Sequence, residues 1–264
     1  MASSEPRGPG QTCAPGWDRM VTLDDPTADD GHRQQWIHHP AGPDAVGIPV
    51  LYLLHGLPGN PRSLIGDMAP KLDREMCRTG LPFVVAVPDG QEGDLDTEWG
   101  DDAAGRFDLE TFVTGPVIDA TEGGARRAAD LRAIGGVSMG GYGATVLALR
   151  HPDLYAQVAS FGGYYHPDDR DGVFAADAAA HAPDQIVSAA NGKQRFFLAE
   201  GEREDTPLQD GSIRGEADRF AAILTQRSVT VSVVHPPGGH DDSTWDPAIP
   251  PCVDFLGSGW RAGQ

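Results

Sequence analysis

The sequence predicts an α/β fold, a mostly parallel sheet flanked by helices. Three observations predict it. Short, continuous apolar runs recur along the chain, segments of helical periodicity lie between them, and glycine-rich turns stand where the runs stop. Runs that are apolar throughout, instead of alternating, mark strands covered on both faces. Their alternation with helical segments marks successive βαβ units.

Arg19–Leu23 and Gln34–His38 read as edge strands ahead of the main pattern. Pro49–Leu54 ends in His55-Gly56, and Pro82–Val87 ends in Pro88-Asp89-Gly90. Leu131–Val137 leads to Ser138, Ala156–Phe161 to Gly162-Gly163, Arg195–Glu200 to Gly201, and Val229–Val234 to His235-Pro236. Ser63–Arg78, Leu109–Ala120, Gly140–Arg150 and Arg214–Arg227 carry apolar residues at helical spacing. Composition is even after about residue 45, with no repeat and no long linker, so residues 1–264 read as one domain. The opening residues to about Trp17 read as a loosely held arm. Residues 163–194 form a long insertion between strands, a candidate lid.

Among 264 residues, 20 Lys and Arg face 39 Asp and Glu, a net charge of −19. Such a surface repels nucleic-acid phosphates and anionic membranes. No apolar stretch approaches the roughly 18 residues a spanning helix needs, and Met1–Gly31 holds no run resembling a signal-peptide core. The three cysteines, Cys13, Cys77 and Cys252, are odd in number and lack metal-ligand spacing. They predict neither a disulfide framework nor a zinc site, and therefore a reducing, cytoplasmic setting. No cofactor is expected, because there is no dinucleotide fingerprint and no P-loop. No metal is expected either. His38 and His39 are strand neighbours pointing to opposite faces, and His240-Asp241-Asp242 fits a catalytic role better.

In parallel sheets the chemistry sits beyond the carboxyl ends of the strands. Gly136-Val137-Ser138-Met139-Gly140 is a G-x-S-x-G segment that follows an apolar strand and opens a helix. A strand–serine–helix turn lifts the hydroxyl above the sheet, and its glycines let the two elements approach. A serine needs a base. In the nucleophile-elbow arrangement that such a serine turn belongs to, the acid and then the histidine follow the serine in chain order. His240, on the loop after the last strand, can swing over Ser138, whereas His235 sits at the strand end itself. The orienting acid follows the preceding strand and is Glu204 or Asp205. The reach past Gly201 favours Glu204 and residue type favours Asp205. The turn His55-Gly56-Leu57-Pro58-Gly59 can aim the Leu57 N–H at a developing oxyanion, with the Met139 N–H as second donor. His55 reads as a polar group holding that turn. Trp99, Tyr164 and Tyr165 lie past strand ends and are candidates for lining an acyl or aryl pocket.

Leu53-Leu54-His55-Gly56-Leu57, Pro88-Asp89-Gly90, Gly136-Val137-Ser138-Met139-Gly140-Gly141-Tyr142-Gly143 and Gly238-Gly239-His240-Asp241 resemble the esterase-D / antigen-85-like branch of α/β-hydrolases over about residues 45–258. The resemblance implies an α/β-hydrolase fold and a serine esterase acting on a small-molecule carboxylic ester or thioester. It implies a triad of Ser138, an acid and His240, with Leu57 and Met139 as oxyanion donors. The chain departs from the mycolyltransferases of that branch, which are exported and carry an acidic residue at the position of His55. It also places a glutamate where the branch's hydrolases usually have aspartate. The same triad would serve an acyltransferase or other carbonyl chemistry on a metabolite, and a non-catalytic binding protein of the same fold is the third alternative. The oligomeric state is not legible.

Overall fold

The computed structural model describes residues 13–42, 47–124, 126–166, 169–190, 192–204 and 212–262. Its strands are β1 (Trp17–Asp24), β2 (His32–His39), β3 (Val50–Leu54), β4 (Val84–Pro88), β5 (Arg132–Val137), β6 (Gln157–Phe161), β7 (Arg195–Ala199) and β8 (Thr230–Val234). Its helices are α1 (Pro61–Thr79), α2 (Leu109–Phe112), α3 (Ile118–Glu122), α4 (Met139–Arg150), α5 (Pro183–Ile186), α6 (Ile213–Gln226), α7 (Asp242–Trp245) and α8 (Ile249–Ala262).

The strands form one sheet in the order β1-β2-β4-β3-β5-β6-β7-β8. β1 and β2 are antiparallel to their neighbours, and the remaining six strands are parallel. β3 shows why its run is apolar throughout. Val50, Tyr52 and Leu54 enter the core on one face, while Leu51 and Leu53 enter the core on the other. The first core packs against α4 and α6, and the second against α1 and α8. The register levels the carboxyl ends, pairing Val137 with Phe161, Phe161 with Ala199, and Ala199 with Val234. Residues following β5, β6, β7 and β8 therefore emerge side by side.

Local chemistry sets the helix ends. Asn60 caps α1 by accepting from the Ser63 N–H at 2.9 Å, Pro61 needs no N–H donor in the first turn, and Gly80 closes the helix at φ +66°. α4 is buried along Met139–Leu149, so its apolar residues encircle it instead of forming a stripe. α8 is absent from the sequence reading. Its Pro250 and Pro251 stand in the first turn, where prolines forfeit no helical hydrogen bond. Gly259 is where α8 meets the sheet, since a Cβ there would lie 2.2 Å from Arg195 Nη1 and from Gln157 Oε1.

Two expectations need correction. Cys13 and Cys77 form a disulfide, with Cα atoms 5.8 Å apart, and Cys252 is a buried free thiol. Cysteines 64 residues apart in sequence meet because the segment before β1 lies along α1. There the Gly16 N–H also donates to Asp73 Oδ2 at 2.9 Å. From residue 13 onward the arm is therefore tethered, and the premise for a reducing compartment is lost. Residues 1–12 lie outside the described residues. No helix is long and apolar enough to cross a membrane among the described residues.

The segment 163–194 is anchored to the core by some of its described residues, while others, such as Asp171 and Ala175–Asp177, are exposed. Val173, Phe174, Ala182 and Val187 are buried, and the Tyr142 hydroxyl donates to the His181 carbonyl at 2.5 Å.

Candidate active site

Ser138 joins β5 to α4 with φ +54° and ψ −122°, a conformation an L-residue adopts only when its surroundings enforce it. Those surroundings are backbone. The Ser138 N–H donates to the Phe161 carbonyl at 2.8 Å, and the Ser138 carbonyl accepts from Gly141 and Tyr142 at 2.8 and 3.1 Å. A Cβ on Gly140 would stand 2.2 Å from the Leu54 carbonyl oxygen, and one on Gly136 would stand 2.4 Å from the Gly140 carbonyl. Both glycines are required for β5, β3 and α4 to approach closely enough to make this turn.

His240 follows β8 on a loop pinned to the loop after β7. Arg203 N–H donates to the Gly238 carbonyl at 3.0 Å, and Glu202 N–H to the Pro236 carbonyl at 2.9 Å. Asp241 then caps α7 by accepting from Thr244 N–H at 3.0 Å. The imidazole lies between two partners. Its Nε2 is 2.8 Å from Ser138 Oγ, and its Nδ1 is 2.7 Å from Glu204 Oε1. With the carboxylate accepting from Nδ1–H, Nε2 is left as an acceptor for the serine hydroxyl.

Glu204 is buried, and donors hold both of its oxygens. Oε1 also accepts from Trp245 Nε1 at 3.0 Å, while Oε2 accepts from the Gly201 N–H. Trp245 further stands edge-on to the His240 ring, with centroids 5.0 Å apart. Gly162, at φ +60°, makes room for this arrangement. A Cβ there would meet both Glu204 Oε1 and Trp245 Cζ2 at 2.3 Å. The second acid candidate, Asp205, lies outside the described residues.

Glu200, at the end of β7, is wholly buried and accepts from the Tyr165 hydroxyl at 2.8 Å. Burial, and then the charge of Glu204, push its carboxyl well above the usual carboxylate range. Glu204 therefore has a neighbouring acid that favours its neutral form.

A cleft of about 290 Å³ opens over these groups, lined by Gly56, Leu57, Ser138, His240 and Trp245 among others. Leu57 belongs to its wall. Met139 is the first residue of α4, where the N–H has no partner within the helix. The Met139 side chain is buried, with Sδ 3.7 Å from Thr97 Oγ1. His55 holds the turn. Its Nε2 accepts from Gly90 N–H at 3.1 Å, its Nδ1 donates to the Gly56 carbonyl at 2.9 Å, and its carbonyl accepts from Trp99 Nε1 at 3.0 Å. His235 lies away from Ser138, with Nε2 3.1 Å from Asp218 Oδ1.

The three aromatic candidates for substrate contact are corrected by burial. Trp99 is 0% exposed and packed edge-on against His55. Tyr164 stacks on Tyr142 and donates to Glu98 at 2.5 Å, and Tyr165 stacks on Phe220. Strand ends in this sheet are roofed by their own loops, so Tyr164 and Tyr165, three and four residues past β6, and Trp99, eleven residues past β4, become core. The sequence reading missed Trp245, Gly162 and Gly201 as supports of the acid. The glycines after β6 and β7 were visible as strand-end turns, whereas nothing in the sequence marks Trp245. Among the described residues no group of three or more His, Cys, Asp or Glu is placed to hold a metal ion.

Similar folds are found among solved structures. The Staphylococcus aureus fluorophosphonate-binding serine hydrolase FphF superposes with a TM-score of 0.74 at 17% identity, covering 92% of this chain and 99% of its own. A ferulic acid esterase gives 0.76 at 22%, covering 93% and 99%. An S-formylglutathione hydrolase from Agrobacterium tumefaciens gives 0.72 at 17%, covering 95% and 97%. At these identities the likeness establishes the α/β-hydrolase fold. No curated protein matches the chain by sequence. The model of the family described as Putative esterase matches residues 30–256, and with the sheet and its serine turn this makes the chain a member of that esterase family of α/β-hydrolases.

Proposed function

We propose that the chain is a serine esterase that cleaves small-molecule carboxylic esters or thioesters through an acyl-enzyme on Ser138. The contact that carries this reading is the continuous line from Glu204 through His240 to Ser138, at 2.7 and 2.8 Å, facing an open cleft. Ser138 Oγ attacks the carbonyl carbon while His240 Nε2 takes the hydroxyl proton. Glu204 fixes the tautomer and stabilises the imidazolium. The oxyanion is held by the N–H groups of Leu57 and Met139, donors of a kind worth about 3–4 kcal/mol where one has been removed. Collapse of the intermediate breaks the carbon–oxygen or carbon–sulfur bond, and His240 returns its proton to the leaving group. Water then attacks the acyl carbon, again through His240, and the carboxylic acid leaves.

The Cys13–Cys77 bond supports an oxidising compartment in place of the cytoplasm, since a reducing pool opens such bonds. The test of the chemistry is labelling by a fluorophosphonate probe together with turnover of p-nitrophenyl acetate. Both are expected in the wild type and absent in Ser138→Ala. Labelling or turnover retained by that variant refutes the assignment.

A further inference from the structure

The wall of the cleft beside Ser138 is acidic. Asp67 from α1 lines it, together with Asp241 and Asp242 at the start of α7, and no lysine or arginine does so among the described residues. Lys71 is the cation paired with this wall. Its Nζ is 2.6 Å from Asp67 Oδ2 and is shared with Asp246, so one positive charge answers two carboxylates. The Asp241 carboxylate is occupied with Ser243 and Thr244. The Asp242 carboxylate has no hydrogen bond or ion pair among the described residues, although it lines the same cleft as the nucleophile. Its proton affinity reports the crowding. Burial, and then Asp67, Asp246 and Asp241, raise its pKa above the ordinary value, against the opposing effect of Lys71.

Resting on the esterase reading above, we propose that this wall selects the substrate by charge. The cleft takes esters bearing an ammonium or similar cationic group, seated between Asp67 and Asp242, and turns away esters with a carboxylate or sulfonate at that position. A cation there supplies the charge that Lys71 leaves unmet. An anion would join three carboxylates exposed along the cleft, and like charges repel. The overall charge of −19 acts in the same direction by steering cations inward before contact.

Three thioacetates of matched size test this, assayed by thiol release. They are acetylthiocholine, its uncharged 3,3-dimethylbutyl isostere, and the sulfonate analogue. The expected kcat/KM falls in that order, by about tenfold per step at low ionic strength. The spread should shrink in 0.5 M salt, where the Debye length drops to a few ångströms. In Asp67→Asn and in Asp242→Asn the ratio of cationic to neutral kcat/KM should fall at least threefold. Equal kcat/KM for the cationic and neutral thioesters overturns the proposal, as does preference for the sulfonate. A cation preference unchanged by either substitution overturns the assignment to this wall. Turnover of the neutral thioester, set against Ser138→Ala as the blank, reports the esterase reading separately within the same experiment. Loss of charge selection is thereby distinguished from loss of the chemistry.

Discussion

Trp245 Nε1 and His240 Nδ1 both donate to one oxygen of Glu204, at 3.0 and 2.7 Å. The indole thus holds the same carboxylate oxygen that orients the imidazole. Trp245→Phe keeps the ring and removes the donor. A hydrogen bond to a charged group is worth about 1.5–3 kcal/mol. Steady-state kinetics should show kcat lowered about tenfold with KM little changed, and a melting curve should show a modest loss of stability.

Glu204 itself has more at stake. Glu204→Gln keeps the shape and removes the charge, and it lets the amide compete for the tautomer of His240. The expected loss in kcat is about 10³–10⁴-fold by the logic of triads generally. Residual labelling by a fluorophosphonate should persist at a much reduced rate, which a time course of probe incorporation would show.

Gly162→Ala places a methyl group within 2.3 Å of Glu204 Oε1 and at a positive φ. Either the carboxylate or the tryptophan must move. Displacing an orienting group by about 1 Å can cost roughly a hundredfold in rate, so kcat should drop by about that amount in a variant that still melts cooperatively.

Glu200 gives a pH-dependent prediction. Its carboxyl is pushed up by burial in the folded protein, so the native state keeps a proton that the unfolded chain has released. Stability contributed at low pH is therefore lost as pH rises from the ordinary carboxylate range toward the raised folded value. Glu200→Gln mimics the protonated acid and can donate to the Tyr165 hydroxyl, which then donates to Ser160 Oγ, 3.0 Å away. Melting temperatures of the two proteins should nearly coincide near pH 4, with the variant gaining through neutral pH. A gap that does not grow with pH would contradict this.

The Cys13–Cys77 bond closes a loop of 64 residues, for which the chain-entropy relation gives about 4 kcal/mol of stabilisation. Dithiothreitol or Cys13→Ser should lower the melting temperature markedly. In denaturant without reductant, one thiol per chain should react with Ellman's reagent.

The strands were legible because burial on both faces forces unbroken apolar runs, as the split of β3 between the two cores shows. The Ser138 turn was legible because two backbones can approach that closely only through glycine. The choice between Glu204 and Asp205 was not, since adjacent carboxylates look alike until a fold aims one of them. The disulfide was hidden because pairing depends on which segment lies along α1, and sequence separation carries no trace of that. α8 was hidden because its prolines and glycines follow the contacts of its first turn and its sheet face instead of helix propensity.

α8 also has a consequence for handling the protein. Its last turn rests on Gln157 and Arg195, the first residues of β6 and β7, whereas Ser138 follows the last residue of the parallel strand β5. A bead, electrode or carrier attached past Trp260 would therefore grip the molecule by its underside and leave the mouth of the cleft pointing into the medium.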